Sequence, residues 1–112
     1  MQQEFVYALL EEDEKAVPFH AGEIWQILIA GLAFGEGDFE KSIQFIVNYG
    51  RDNDTVAAVA GMILGAKDGF NKLPPELRTE VLRVNKEQLG IDLEALASRM
   101  VESMLPATIT TN

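Results

Sequence analysis

The sequence predicts an all-α fold, a compact bundle of about six helices. Apolar residues recur at helical spacing in one segment after another, and no segment alternates apolar with polar residues as a half-buried strand does. Gly, Pro or Asp stands at the boundaries between these segments, where helices end or are capped. The chain has 112 residues, so we expect one helical domain over residues 1–105 and a flexible tail over residues 106–112.

Two helices are predicted in the first third of the chain. Residues 4–15 carry apolar side chains in a broken helical period, and a proline-containing loop follows over residues 16–21. Residues 22–35 are apolar on nearly every side, which is typical of a helix at the centre of a bundle. We therefore expect Trp25 in the core. We also expect a glycine of the stretch 35–37 to form the C-terminal cap of this helix.

Three further helices are amphipathic. Asp38 is a good N-cap residue and precedes a helix over residues 39–49. A proline suited to the first helical position opens a helix over residues 76–89, and Asp92 caps the last helix, over residues 93–104. The spacing within the first of these helices predicts a core face made of Phe39, Ile43, Ile46 and Val47.

The remaining helix, over residues 55–68, is the most apolar, since residues 56–66 contain no polar side chain. Ala57, Gly61 and Gly65 are spaced four residues apart and so form one smooth ridge on its surface. Gly inside a helix costs ~1 kcal/mol relative to Ala. We therefore expect this ridge to pack closely against a neighbouring backbone.

The composition excludes several classes of function. The chain has 18 Asp and Glu against 9 Lys and Arg, a net charge of −9, which disfavours binding to nucleic acid and to anionic membranes. With no Cys and one His, it has no disulfides, thiol nucleophiles or multi-His metal sites. The N-terminus lacks the features of a signal peptide, and no apolar stretch reaches the ~20 residues of a membrane span. We expect a cytoplasmic location.

One group of side chains, Asp52-Asn53-Asp54-Thr55, can carry chemistry. In a turn, the side chains at the first and third positions converge, and two carboxylates with a hydroxyl suit a hard cation such as Mg²⁺, Ca²⁺ or Mn²⁺. The same residue types also suit plain helix capping, with Arg51 supplying the compensating charge. An EF-hand is excluded because a loop beginning at Asp52 lacks the required glycine and glutamate. Spacing alone leaves the metal and the capping interpretations open.

The surrounding sequence follows a longer pattern. The loop Gly50-Arg51-Asp52-Asn53-Asp54-Thr55 leads into an Ala/Gly-rich helix, followed by the step Gly65-Ala66, by Gly69 and by Pro74. This order resembles the C-terminal metal-binding motif of the ADP-ribosylglycohydrolase family. The flanks Val17-Pro18-Phe19 and Gly37-Asp38-Phe39-Glu40 are also similar to the family, so the resemblance covers about residues 17–104.

The resemblance implies a fold, a cofactor and an activity. Members of this family are all-α proteins that hold a pair of Mg²⁺ or Mn²⁺ ions in a central cleft and cleave the N- or O-glycosidic bond to ADP-ribose. By position in the motif, Asp52, Asp54 and Thr55 correspond to metal ligands. The neighbouring candidates for substrate binding are Tyr49, Gly50, Arg51 and Asn53. No catalytic residue is identified, and the linkage that is cleaved stays open.

The family's second acidic cluster, which supplies the other metal ligands and the acidic catalytic groups, has no counterpart upstream of residue 17. We therefore expect this chain to be the C-terminal portion of such a hydrolase, truncated or split, with a partial metal site and no activity alone. Its partners would be the missing N-terminal half and, in the complete enzyme, an ADP-ribose-type ligand. The alternative is a non-catalytic helical module that binds ligand or protein and self-associates.

Overall fold

The computed structural model describes residues 2–16 and 20–105. These residues form six α-helices and no strand: α1 (Gln3–Glu12), α2 (Ala21–Gly35), α3 (Phe39–Tyr49), α4 (Asn53–Asp68), α5 (Pro75–Leu89) and α6 (Leu93–Met104). The all-α prediction with about six helices is confirmed. Residues 17–19 of the predicted loop over residues 16–21 and the whole predicted tail over residues 106–112 lie outside the described residues. None of the described helices has the length and apolar character needed to cross a membrane.

The chain divides into two compact units, Met1–Leu73 and Pro74–Asn112. The first unit contains α1 to α4 and the second contains α5 and α6. Every side chain of α5 and α6 keeps some contact with solvent. The predicted single domain over residues 1–105 stays a prediction.

The core of the first unit lies where α2, α3 and α4 pack on one another. Its buried apolar side chains are Val6, Ile27, Leu28, Phe45, Ile46, Val56, Ala60 and Leu64. Helix α1 joins this core through Tyr7, whose ring centroid lies 4.7 Å from that of Phe45. The Tyr7 hydroxyl also donates a hydrogen bond of 2.5 Å to the carbonyl oxygen of Phe45. These contacts attach α1 to α3.

The core face of α3 is rotated from the predicted one. Its buried residues are Ser42, Phe45 and Ile46, so the prediction is confirmed at Ile46, whereas Val47, also predicted to be in the core, is exposed. The cause is the close approach of α2, which two glycines permit. A Cβ atom at Gly31 would lie 2.5 Å from Cγ1 of Ile46, and one at Gly35 would lie 2.8 Å from the backbone nitrogen of Ser42.

The small-residue ridge of α4 does not pack as predicted. A Cβ atom added at Gly61 or Gly65 would have no described atom within 4 Å, apart from its own helix and chain neighbours. The side of α4 that is buried in the first unit instead carries Val56, Ala60 and Leu64. The close approach between helices therefore occurs at the glycines of α2, which contact α3, and not at the glycines of α4.

Helix α2 departs from the prediction at both of its ends. Trp25 is 60% exposed and not in the core, because α2 turns Glu23, Ile27 and Leu28 inward. The C-cap residue is Glu36, in the left-handed region with a φ of 53°, where a glycine was expected. The predicted cap at Asp38 is confirmed, since its carboxylate accepts a 2.8 Å hydrogen bond from the backbone N–H of Lys41.

Candidate metal site

The candidate ligands lie where the chain leaves α3 and enters α4. Gly50 caps α3 with a φ of 87°, and Asp52, the N-cap residue of α4, also adopts a left-handed conformation with a φ of 45°. The carboxylate of Asp52 accepts no backbone hydrogen bond of the capping kind. Its Oδ1 instead accepts a 2.9 Å hydrogen bond from the hydroxyl of Thr55. The structure therefore brings the side-chain oxygens of Asp52 and Thr55 together.

Asp54 and Asn53 lie beside this pair. Asp54 is in the first turn of α4 and is exposed, while the side-chain amide of Asn53 donates a 3.1 Å hydrogen bond to the carbonyl oxygen of Val47. Over the described residues, no three His, Asp or Glu side chains are grouped so that they could hold a metal ion. Oxygen donors alone suit Mg²⁺ or Mn²⁺, but six are needed. The donor chemistry of the loop is compatible with part of such a site, and the assignment of Asp52, Asp54 and Thr55 as metal ligands stays a prediction.

The side chain of Arg51 contacts Glu14 and Glu23 and not the candidate ligands Asp52 and Asp54. Its Nε and Nη2 atoms donate to the two carboxylate oxygens of Glu23, the second bond at 3.3 Å, and Nη2 also donates to the carbonyl oxygen of Lys15. Its Nη1 atom lies 3.6 Å from Oε2 of Glu14. The charge of Arg51 is thus shared with Glu14 and Glu23, and the suggestion that it compensates Asp52 and Asp54 is not supported.

We call Glu14, Lys15, Glu23, Tyr49 and Arg51 the Arg51 cluster. Glu23 is only 2% exposed, and its pKa is lowered mainly by the hydrogen bond from Arg51, against the opposing effect of burial. The Tyr49 hydroxyl donates a 2.6 Å hydrogen bond to Glu14, and burial together with that carboxylate raises the pKa of Tyr49. The side chains of Glu14, Glu23, Tyr49 and Arg51 therefore already have polar partners within the chain.

Glu14 and Glu23 were missed as members of the site region. Glu23 stands out in the sequence as the single charged residue of a largely apolar helix, and a buried carboxylate requires a charged partner. That signal predicts an arginine or lysine nearby, although it does not say which. Glu14 belongs to an acidic run that is typical of a solvated helix end, so its sequence context carries no such signal.

The comparison with family profiles decides the relationship. A profile described as ADP-ribosylglycohydrolase matches residues 2–108, nearly the whole chain. The chain belongs to the ADP-ribosylglycohydrolase family. Comparisons with curated proteins and with solved structures gave no significant match.

Family membership confirms the resemblance and extends it toward the N-terminus. The matched region begins at residue 2 and so includes α1 and all five residues of the Arg51 cluster. Membership supports a hydrolase fold of the ADP-ribosylglycohydrolase type. The family is generally metal-dependent, which agrees with the oxygen-rich loop at the start of α4.

Proposed function

We propose that this chain forms the C-terminal part of a Mg²⁺- or Mn²⁺-dependent ADP-ribosylglycohydrolase-like hydrolase, which cleaves a glycosidic bond to ADP-ribose. Asp52, Asp54 and Thr55 are the proposed metal ligands. The observation that carries this proposal is the pairing of the Asp52 carboxylate with the Thr55 hydroxyl at 2.9 Å, together with membership in the family. The Asp52 carboxylate accepts no hydrogen bond that caps its own helix, so apart from its bond with Thr55 it can serve another role.

A divalent cation held there would act as a Lewis acid that orients ribose hydroxyls or a water molecule and stabilises developing charge. The residues of this chain provide the anionic oxygens and hold the loop that carries them. Tyr49, Arg51 and Asn53, proposed to contact substrate, already use side-chain groups in bonds within the chain. These three residues are therefore proposed to contact substrate only through atoms that are not used in these bonds. Gly50 is proposed to contact substrate through its backbone.

The metal site is proposed to be shared. Mg²⁺ takes six oxygen ligands in octahedral geometry, and the loop offers three side chains. We propose that the other ligands and the acidic catalytic groups come from the family's N-terminal half. On this proposal the chain alone binds metal weakly and does not hydrolyse substrate.

Electron paramagnetic resonance of free Mn²⁺ tests the proposed ligands directly. The chain is expected to reduce the free Mn²⁺ signal, and Asp52→Ala or Asp54→Ala is expected to restore it. Asp68→Ala is the matched control, because Asp68 lies at the other end of α4 and pairs with Lys67 at 2.7 Å. Equal binding by all four proteins, or no binding by the wild type, would refute a site formed by this chain.

A second candidate is a non-catalytic helical binding module that self-associates. Large apolar side chains on the surface favour it, among them Trp25, Ile29 and Met62 in the first unit and Leu77, Met100 and Met104 in the second. Light scattering coupled to size exclusion would then show a mass that grows with concentration. A constant monomer mass with no binding of a hydrophobic dye would contradict this candidate.

A further inference from the structure

An ion pair between a buried acid, Glu23, and the partly exposed Arg51 lies directly beside the proposed metal ligands. Glu23, 2% exposed on α2, accepts hydrogen bonds from Nε and Nη2 of Arg51 and a 2.9 Å bond from the backbone N–H of Lys15. A buried carboxylate left without a partner is strongly destabilising. The requirement of Glu23 for a cation therefore fixes the position of Arg51, the residue immediately before Asp52.

The other nitrogens of Arg51 are also held. Nη2 donates to the carbonyl oxygen of Lys15, and Nη1 lies 3.6 Å from the carboxylate of Glu14, which Tyr49 fixes with its own hydroxyl. One guanidinium thus joins the segment after α1, the start of α2 and the loop between α3 and α4. All these residues belong to the first unit.

Asp52 lies between two anchored neighbours. Its φ of 45° is uncommon for a residue other than glycine, although aspartate adopts it more readily than most, and it is commonly held in place by the surrounding structure. Arg51 is anchored by Glu23 on one side, and Asn53 is anchored on the other by its 3.1 Å hydrogen bond to Val47. We propose that the Arg51–Glu23 pair is a positioning device, which holds Asp52 left-handed and its carboxylate against Thr55 before any metal binds.

This inference rests on the proposed role of Asp52 and Thr55 as ligands. Residues that hold metal ligands in place without touching the metal are important for binding. Their removal commonly lowers metal affinity by about 10- to 100-fold. The guanidinium is suited to this task because its planar, rigid array of donors engages both oxygens of one carboxylate. A lysine would retain the charge but not this geometry.

The test uses two variants and one control. In Glu23→Leu/Arg51→Met, apolar side chains of similar size replace both charged partners, a change that proteins often tolerate at buried ion pairs without loss of stability. Arg51→Lys keeps the charge alone. Arg83→Met is the control, since Arg83 also pairs with two carboxylates, those of Glu80 and Glu87 on the exposed face of α5.

Two measurements are made on each folded protein. Nuclear magnetic resonance of the metal-free chain reports the sign of φ at Asp52 through its scalar couplings and its Cα shift. Paramagnetic resonance gives the Kd for Mn²⁺. In the double variant we expect the positive φ to be lost and the Kd to rise about 10- to 100-fold. We expect a smaller rise in Arg51→Lys and no change in Arg83→Met.

A folded double variant that keeps both the positive φ and the wild-type Kd would overturn the proposal. If the wild type binds no Mn²⁺, the proposed function fails, but the resonance of Asp52 still tests the positioning role. If the double variant does not fold, Arg51→Lys is measured in its place, and an unchanged φ and Kd there overturn the proposal.

Discussion

Replacing Gly35 by alanine is expected to destabilise the first unit, whereas the same replacement at Gly61 is expected to stabilise it. A Cβ atom at Gly35 would lie 2.8 Å from the backbone nitrogen and 2.9 Å from the Cα atom of Ser42. Backbone atoms cannot rotate away, so α3 must move off α2 and disturb the buried side chains of Phe45 and Ile46. Overpacking costs about 1–3 kcal/mol, and a clash with backbone falls at the upper end of that range.

Gly61 is the matched control because it also lies within a helix but has open space beside it. Only helix propensity then changes, which favours alanine by about 1 kcal/mol. The two variants are therefore expected to differ by about 4 kcal/mol in free energy of unfolding.

Urea unfolding followed by circular dichroism measures this difference, with the slope checked for constancy between variants. Equal stabilities for the two variants would refute the close approach of α2 and α3 at Gly35. A marked loss of stability in Gly61→Ala would show that the ridge of α4 is packed after all.

Three further substitutions test local interactions. Ser42→Ala is expected to raise the free energy of unfolding by about 1 kcal/mol, because the buried Ser42 hydroxyl finds no hydrogen-bond partner among the described residues. A lower free energy of unfolding in the urea titration would show that a partner exists. Asp38→Ala is expected to lower the free energy of unfolding by about 1 kcal/mol, because it removes the hydrogen bond from the backbone N–H of Lys41. Asp38→Asn is expected to lower it less, and equal losses of stability in the two variants would contradict the capping role. Glu23→Gln is expected to lower the thermal midpoint near neutral pH. Because Arg51 lowers the Glu23 pKa from 4.5, the wild-type advantage is complete above that pH and is lost as pH falls through the lowered pKa; a gap independent of pH would refute this.

The features that the sequence predicted well depend on near neighbours along the chain. Asp38 caps α3 because its acceptor reaches a backbone N–H three residues later, a distance that local geometry sets. The six helices follow from apolar spacing and from their Gly, Pro and Asp boundaries. The candidate metal ligands Asp52, Asp54 and Thr55 could be proposed because they are nearly contiguous in the sequence, and their role stays a prediction.

The features that were missed depend on contacts between distant segments. The bond from Arg51 to Glu23 spans 28 residues, and periodicity within one helix cannot reveal such a pair. The predicted core face of α3 was right at Ile46 and wrong at Val47, because Gly31 and Gly35 of another helix decide which side of α3 approaches α2. The position of Trp25 on the surface likewise depends on which side of α2 receives α3 and α4.

The solvent contact of every side chain in α5 and α6 has a consequence for the motions of the chain. A helix whose apolar side chains remain in contact with solvent is stabilised little by burial. Its amide hydrogens therefore exchange through local unfolding of low free energy. Amides around Phe45, in the buried part of α3, exchange only when the first unit unfolds as a whole. We therefore expect two kinetic classes of amide, with α5 and α6 in the fast class and α3 in the slow one.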